Sequence, residues 1–219
     1  MKTSSPGSGG SAPRPRGRPR CFDVDQALAR AIEVFWAKGY EGASLADLTK
    51  AMGINPPSLY AAFGDKEGLF IAAVRRYHEN VQESCPFEGA GSARSAMQGL
   101  LTEFATLFTD RSHPPGCLGV MAMTTATTAS PKLQKFLAEQ RAEAKAGMRE
   151  RLHDAVREGE LAADTDVAAL VNFYVAMIDG MSLQAREGAT RKALLAMVDT
   201  AMRAWPEKRA TRARQKAAA

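Results

Sequence analysis

Apolar residues recur at three- and four-residue spacing along most of the chain, and the breaks between runs carry helix-capping chemistry. Val24, Leu28, Ala31, Ile32 and Phe35 form one such stripe behind the capping pattern Asp23-x-x-Gln26, and Gly39 ends it. Ser44-x-x-Asp47 opens a second helix with Leu45, Leu48, Ala51 and Met52 on one face, stopped by Gly53. Asn55 is placed to cap a third, short helix, with Pro56 in its first turn, Leu59 and Phe63 as its packing residues and Gly64 as its stop. Asp65 then caps a longer helix whose buried face is Leu69, Phe70, Ala73, Val74 and Tyr77, ending at about Ser84 before Pro86.

Gly89, Gly91 and Ser92 mark a boundary, after which the periodicity predicts helices over 93–109, from about Leu118, from Ser130-Pro131 to near Gly159, over 165–187 and over 190–205. His113-Pro114-Pro115-Gly116 interrupts the first of these runs and Pro206 closes the last. No segment alternates with period two, so the expected class is all-α. The expected organisation is an arm over 1–20, a reading domain over 21–66, a connecting helix and linker over 67–88, a helical regulatory and dimerisation domain over 89–206, and a tail over 207–219.

Charge changes this picture more than bulk composition does. The net charge is +5, yet residues 1–20 carry +5 and residues 207–219 carry +4, which leaves −4 on the body between them. Two basic ends on an acidic body point to a polyanionic partner, with simple solubilisation as the alternative. The arm lacks apolar residues from which to build a core. Three widely spaced cysteines do not make a disulfide framework, and a reducing, cytoplasmic setting is expected. No uninterrupted apolar run approaches the ~20 residues that cross a bilayer, and the first residues have no apolar signal core, so no membrane partner is expected.

The second and third helices, joined by a short turn at Gly53, have the form of a helix-turn-helix. The outward positions of the third, Pro57, Ser58, Ala61 and Ala62, are small enough for close approach to DNA. Tyr60 can donate to a phosphate and Lys66 can neutralise one. Residues 21–66 sum to −2, so much of the attraction to DNA falls to Arg16, Arg18 and Arg20, placed just before the first helix where an arm can enter a minor groove. The run Met52-Gly53-Ile54-Asn55-Pro56-Pro57-Ser58-Leu59-Tyr60-Ala61-Ala62-Phe63-Gly64-Asp65-Lys66-Glu67, with Gly17 to Arg20, Ala31 to Tyr40 and the segment from Ser44, closely resembles the DNA-binding domain of the TetR/AcrR repressors. The resemblance covers about 50 residues strongly. It implies phosphate contacts from Ser44, Ser58, Tyr60 and Lys66 and base approach by Pro57 and Ala61. Prolines at both 56 and 57 depart from the family's usual polar residue and glycine, so contacts there are apolar, such as to a thymine methyl. Pro115-Gly116-Cys117-Leu118 and Ala185 to Ala189 are similar to a branch containing a copper-responsive envelope regulator; no inducer follows from that.

For the second half the resemblance implies a ligand-binding domain and a homodimer formed by the last two long helices. Val171, Ile178 and Ala185 on one, and Leu195, Val198 and Met202 on the other, are the expected dimer contacts, with packing in the protomer's own core as the alternative. Phe104, Phe108, Cys117, Met121, Phe136, Met148, Phe173 and Met177 are the expected lining of a site for a small apolar effector, core packing being the alternative for each. Cys117, with His113, Met121 and Met123 nearby in sequence, offers a soft metal or thiol-switch site, or a buried inert cysteine. No cofactor, resident metal or catalytic motif is expected. The reading is a homodimeric, ligand-responsive regulator, most simply a repressor, of a palindromic double-stranded DNA operator; a non-specific architectural DNA binder and a thiol- or metal-responsive regulator are the alternatives.

Overall fold

A computed structural model describes residues 22–84, 91–126 and 130–206. Among them there are only helices: α1 (Val24–Gly42), α2 (Leu45–Met52), α3 (Pro56–Phe63), α4 (Lys66–Ser84), α5 (Ala93–Phe108), α6 (Leu118–Thr125), α7 (Pro131–Arg157), α8 (Val167–Arg186) and α9 (Arg191–Arg203). Most of their starts are set by side chains that accept otherwise unpaired N–H groups, α6 being an exception. Asp23 accepts from Asp25 and Gln26, and Ser44 and Asp47 form a reciprocal capping box. Asn55 accepts from Ser58, Ser130 from Leu133, and Thr190 from Ala193. Gly39 breaks α1 three residues before its end, with φ 72° and ψ 176°.

Two cores result. The first joins Ala31, Phe35, Trp36, Leu48, Leu59, Phe70 and Tyr77 from α1 to α4 with Leu118 and Ala122 of α6 and Leu133, Phe136 and Leu137 of α7. The second joins Met97, Leu101 and Phe108 of α5, Met148 and Leu152 of α7, Val171, Tyr174 and Met181 of α8, and Leu194, Val198 and Met202 of α9. The helix α4, expected to be a connection, supplies five fully or almost fully buried side chains to the first core. At 27 residues, α7 spans ~40 Å and feeds both cores.

The helix α6 lies between them. Cys117, which precedes it, packs against both cores. Its N–H donates to the Ser182 hydroxyl of α8 at 2.8 Å, and the Arg186 guanidinium of α8 donates to the Trp36 carbonyl of α1 at 3.2 Å. At the other end of α6, the Tyr40 N–H donates to Thr125 Oγ1 at 3.3 Å. The start of α7 is tied to the first core by the Ser130 hydroxyl, 2.5 Å from Glu67 Oε2.

Candidate nucleic-acid interface

The geometry of α3 follows from one anchor and two stops. Leu59 is fully buried, so the helix can seat on α2 and α4 on one side only. Asn55, Pro56, Pro57, Tyr60 and Ala61 are exposed on the other side, and Ser58 is half-buried. Asn55 Oδ1 accepts the Ser58 N–H at 2.9 Å, which occupies its carbonyl and leaves its amide N–H groups as the donors available to a partner. Tyr60, 47% exposed, carries its hydroxyl outward from an apolar ring and is the largest side chain on this face.

The flanking residues are held by packing rather than by the recognition helix itself. Ser44 Oγ donates to Asp47 Oδ2 at 2.7 Å and accepts the Asp47 N–H at 3.1 Å. Lys38 reaches Asp47 at 2.8 Å, linking α1 to the start of α2. That lysine and Ser44 hold the Asp47 carboxyl down at about 2. The Lys66 ammonium sits 4.6 Å from the centre of the Tyr40 ring, and partial desolvation lowers its pKa, with Glu41 acting in the opposite sense. Tyr40 in turn packs on Phe70 at 4.9 Å. Thus Ser44, Asn55, Pro57, Ser58, Tyr60, Ala61 and Lys66 fall on or beside one helix-turn-helix unit. Arg16, Arg18 and Arg20 lie outside the described residues.

In the second half the expected effector set does not converge on one cavity. Phe108 and Met148 are buried in the second core, with Phe104 and Met177 packed on its margin; Phe104 and Phe108 stack at 5.2 Å. Phe136 belongs to the first core, where Arg75 lies over its ring at 5.3 Å. Its place on the N-terminal third of α7 puts it on the reading-domain side. Met121 is buried on α6. Phe173 is 40% exposed and borders a groove of about 450 Å³ with Asp164, Leu170, Ala204 and Pro206. A second cleft, of about 680 Å³, is lined by residues including Phe108, Asp110, His113, Ala185 and Arg191.

Four expected dimer contacts are corrected by burial. Val171, Ala185, Val198 and Met202 are each at most 4% exposed and already belong to the protomer's own core. Ile178 and Leu195 are half-buried at its edge. The side of α8 left uncovered carries Ala169, Phe173, Ala176 and Leu183, with half-buried Gly180 in the same row. On α9, Ala193, Ala196 and Thr200 are exposed in the same way.

Cys117 is partnered by residues far away in sequence. The Tyr77 hydroxyl donates to its Sγ at 3.3 Å, and burial pushes the thiol up in spite of that bond. His113 does not join it; its ring stacks on Trp36 at 4.3 Å. Among the described residues no three His, Cys, Asp or Glu side chains are placed to hold a metal ion. Of the junction residues, Trp36 and Thr125 were not singled out by sequence; Arg186 lies in the 185–189 segment noted there, and the Gly39 and Gly116 stops lie beside the junction.

A capped helix-turn-helix with an outward small-residue face, joined to a second helical core through α6, defines a helix-turn-helix DNA-binding regulator with a helical regulatory domain. The chain belongs to the tetR family of bacterial regulatory proteins. The profile described as "Bacterial regulatory proteins, tetR family" matches residues 27–73, and "Tetracyclin repressor-like, C-terminal domain" matches 93–201. Among relatives, the chain is 37% identical over 195 residues to the HTH-type transcriptional repressor ComR of Escherichia coli (strain K12), covering 88% of this chain and 93% of ComR. It is 33% identical to the uncharacterized HTH-type transcriptional regulator YezE of Bacillus subtilis (strain 168), covering 72% and 82%. A solved structure of the TetR family regulator CifR, a cysteine mutant complexed with 26-bp double-strand operator DNA, has 47% identity and a TM-score of 0.80, covering 87% of this chain and 100% of that one. These relatives are transcriptional regulators, and the chain is read with them rather than with enzymes.

Proposed function

We propose that the chain is a homodimeric repressor that binds a two-fold operator and releases it on binding a small effector. The observation that carries the reading is the exposed face of α3, whose one buried anchor, Leu59, fixes Pro57, Ser58, Tyr60 and Ala61 outward. Apolar contact from Pro57 and Ala61 favours thymine methyls, and Tyr60, Ser58, Ser44 and Lys66 supply phosphate contacts that fix register. The name repressor follows ComR, and the operator follows the CifR complex.

Dimerisation is supported by α8. Its best 18-residue window has mean hydropathy 1.3, yet only 28% of that window is buried. By length and composition such a helix could cross a membrane. Its Arg141–Asp179 ion pair to α7 and its packed side make it a core helix with a second apolar face. Ala169, Phe173, Ala176, Gly180 and Leu183 repeat at four, three, four and three, the spacing of a helix–helix seam. A two-fold pair of such seams would present two α3 helices, and half-sites for such a pair lie about one helical turn, ~34–36 Å, or a multiple apart.

Effector control is supported by the bonds at α6. Any repacking of the second core that moves Ser182 or Arg186 pulls on Cys117 and Trp36, and so on the reading domain. Phe104, Phe108, Met148 and Met177, in or at the margin of the second core, are the residues proposed to repack around an apolar effector. Sedimentation of the chain with a selected operator tests the assembly. Two protomers per duplex are expected, with binding at least tenfold weaker for Leu183→Glu; one protomer per duplex with unchanged affinity would refute the dimer.

A further inference from the structure

Ser44 enters the operator reading as a phosphate contact, yet both of its donors are in use inside the protomer. Its N–H donates to Asp47 Oδ2 at 3.1 Å, and its hydroxyl donates to the same oxygen at 2.7 Å. The hydroxyl takes the Asp47 N–H in return, at 3.1 Å. The other oxygen of that carboxylate, Oδ1, lies 2.8 Å from the Lys38 ammonium of α1. Donors from α1 and from the cap of α2 therefore meet on one carboxylate. The group is at the surface, with the Lys38 and Asp47 side chains 48% and 36% exposed and Ser44 exposed beside them.

A carboxylate and a phosphodiester compete for such donors, since each is an anion whose oxygens accept charge-assisted hydrogen bonds. A serine hydroxyl has one proton to donate, and a backbone N–H has one. A DNA phosphate that reaches Ser44 must therefore take a donor from Asp47, and it meets a like charge next to it. Lys38 has further N–H groups, but its positive charge is matched by Asp47 at contact distance. The Lys38 and Ser44 bonds hold the Asp47 carboxyl down at about 2, so it is charged at every pH near neutrality. The net charge of −2 over residues 21–66 agrees with a reading domain whose attraction to the DNA backbone is kept low.

We propose that Asp47 is an internal competitor for the DNA backbone: by holding Ser44 and Lys38 it limits the affinity of the reading domain for every duplex. Neither Ser44 nor Lys38 belongs to α3, so the limit applies equally to all sequences and leaves discrimination to Pro57 and Ala61. A helix cap alone needs one acceptor oxygen for the Ser44 N–H. The second oxygen instead holds a lysine from another helix. The inference rests on the operator reading, and its test separates the two.

Fluorescence titrations over a salt series compare the full chain and its variants on a duplex recovered from a random library and on a shuffled duplex of the same length. Asp47→Asn keeps an oxygen for the Ser44 N–H and removes the charge. It is expected to bind both duplexes about 3- to 10-fold more tightly than the parent, with a log–log salt slope steeper by about 0.9 as Lys38 engages a phosphate. Adding Lys38→Gln should cancel that gain. Asp47→Glu, which restores both charge and cap, should return binding to within about twofold of the parent. Parent-like affinity and slope in Asp47→Asn, or weaker binding by that variant when circular dichroism shows it folded, would overturn the competitor and leave Asp47 a helix cap. If Asp47→Asn does not fold, Lys38→Gln in the parent decides. An unchanged slope there supports the proposal, and a slope shallower by about 0.9 means that Lys38 already holds a phosphate and overturns it. If no protein prefers the recovered duplex to the shuffled one, the operator reading fails by itself, and the competitor is judged on the shuffled duplex alone.

Discussion

Thr125 at the end of α6 fills the space that a side chain on Gly39 would need: a Cβ there would lie 2.5 Å from Thr125 Oγ1. The same hydroxyl accepts the Tyr40 N–H, so the break in α1 and the end of α6 are one joint between the reading domain and the helix that approaches the second core. Gly39 is in the left-handed region as well, where L side chains are strained. Gly39→Ala is therefore expected to lower stability by about 2–4 kcal/mol, from backbone strain and overpacking together. Urea unfolding measures this; a loss under ~0.5 kcal/mol would show that the joint is soft.

Tyr60→Phe should weaken binding to every duplex by the same factor, about 3- to 15-fold for one hydrogen bond, without changing the preferred sequence. Pro57→Ala and Ala61→Ser should shift preference at single base-pair positions instead. Competition titrations against operator variants distinguish the two behaviours. A change of preferred sequence in Tyr60→Phe would move that residue from the phosphate to the bases.

Leu183→Glu and Phe173→Asp place charge on the uncovered side of α8 and should give folded monomers with unchanged helical content. Val198→Asp, in the second core, should instead unfold the protein, because it buries a charge with no partner. Sedimentation and circular dichroism on the three variants check this. A dimeric Leu183→Glu would place the interface elsewhere.

The pH dependence of the reading domain follows from Asp47. Its folded pKa, about 2, lies below the ordinary value of 3.8. The ionised form is therefore favoured in the folded state, and its contribution is fully present above about pH 4 and lost as pH falls toward 2. Asp47→Asn is expected to be less stable than the parent at pH 5, with the difference closing between pH 4 and pH 2 in thermal melts. A difference constant over that range would mean that the Lys38–Asp47 pair and the cap contribute nothing through charge.

Cys117 should react slowly. With Cys21 and Cys85 replaced by Ser, thiol labelling of the native protein at pH 8 is expected to be at least ~100-fold slower than in denaturant, because the thiol is buried and its pKa is raised. Labelling at the rate of a free thiol would revive the thiol switch.

The caps and stops of α1 to α4 were legible because Asp23, Ser44, Asn55, Gly53 and Gly64 act on residues two to five positions away. Which stripe of α8 faces inward was not. Phe173 and Leu183 are as apolar as Val171 and Met181, and only the packing of α5, α7 and α9 chooses between them. Phe136 packs in the first core although it lies within the second family match, because a 27-residue helix passes both cores and periodicity carries no mark of where one ends. The partners of Cys117, Tyr77 and Ser182, lie 40 and 65 residues away, so spacing could not name them, and His113, four positions earlier, packs on Trp36. The local chemistry of α3 was therefore readable, while the junction that couples it to the second core was not.

Sequence-specific reading of a two-fold site by paired α3 helices is measured by selecting the purified full chain against a random duplex library at near-physiological salt. The expected result is enrichment of an inverted repeat whose half-site centres lie one helical turn, or a whole number of turns, apart. Recovery of duplexes with no shared motif would contradict it and leave the basic segments as the source of any affinity for DNA.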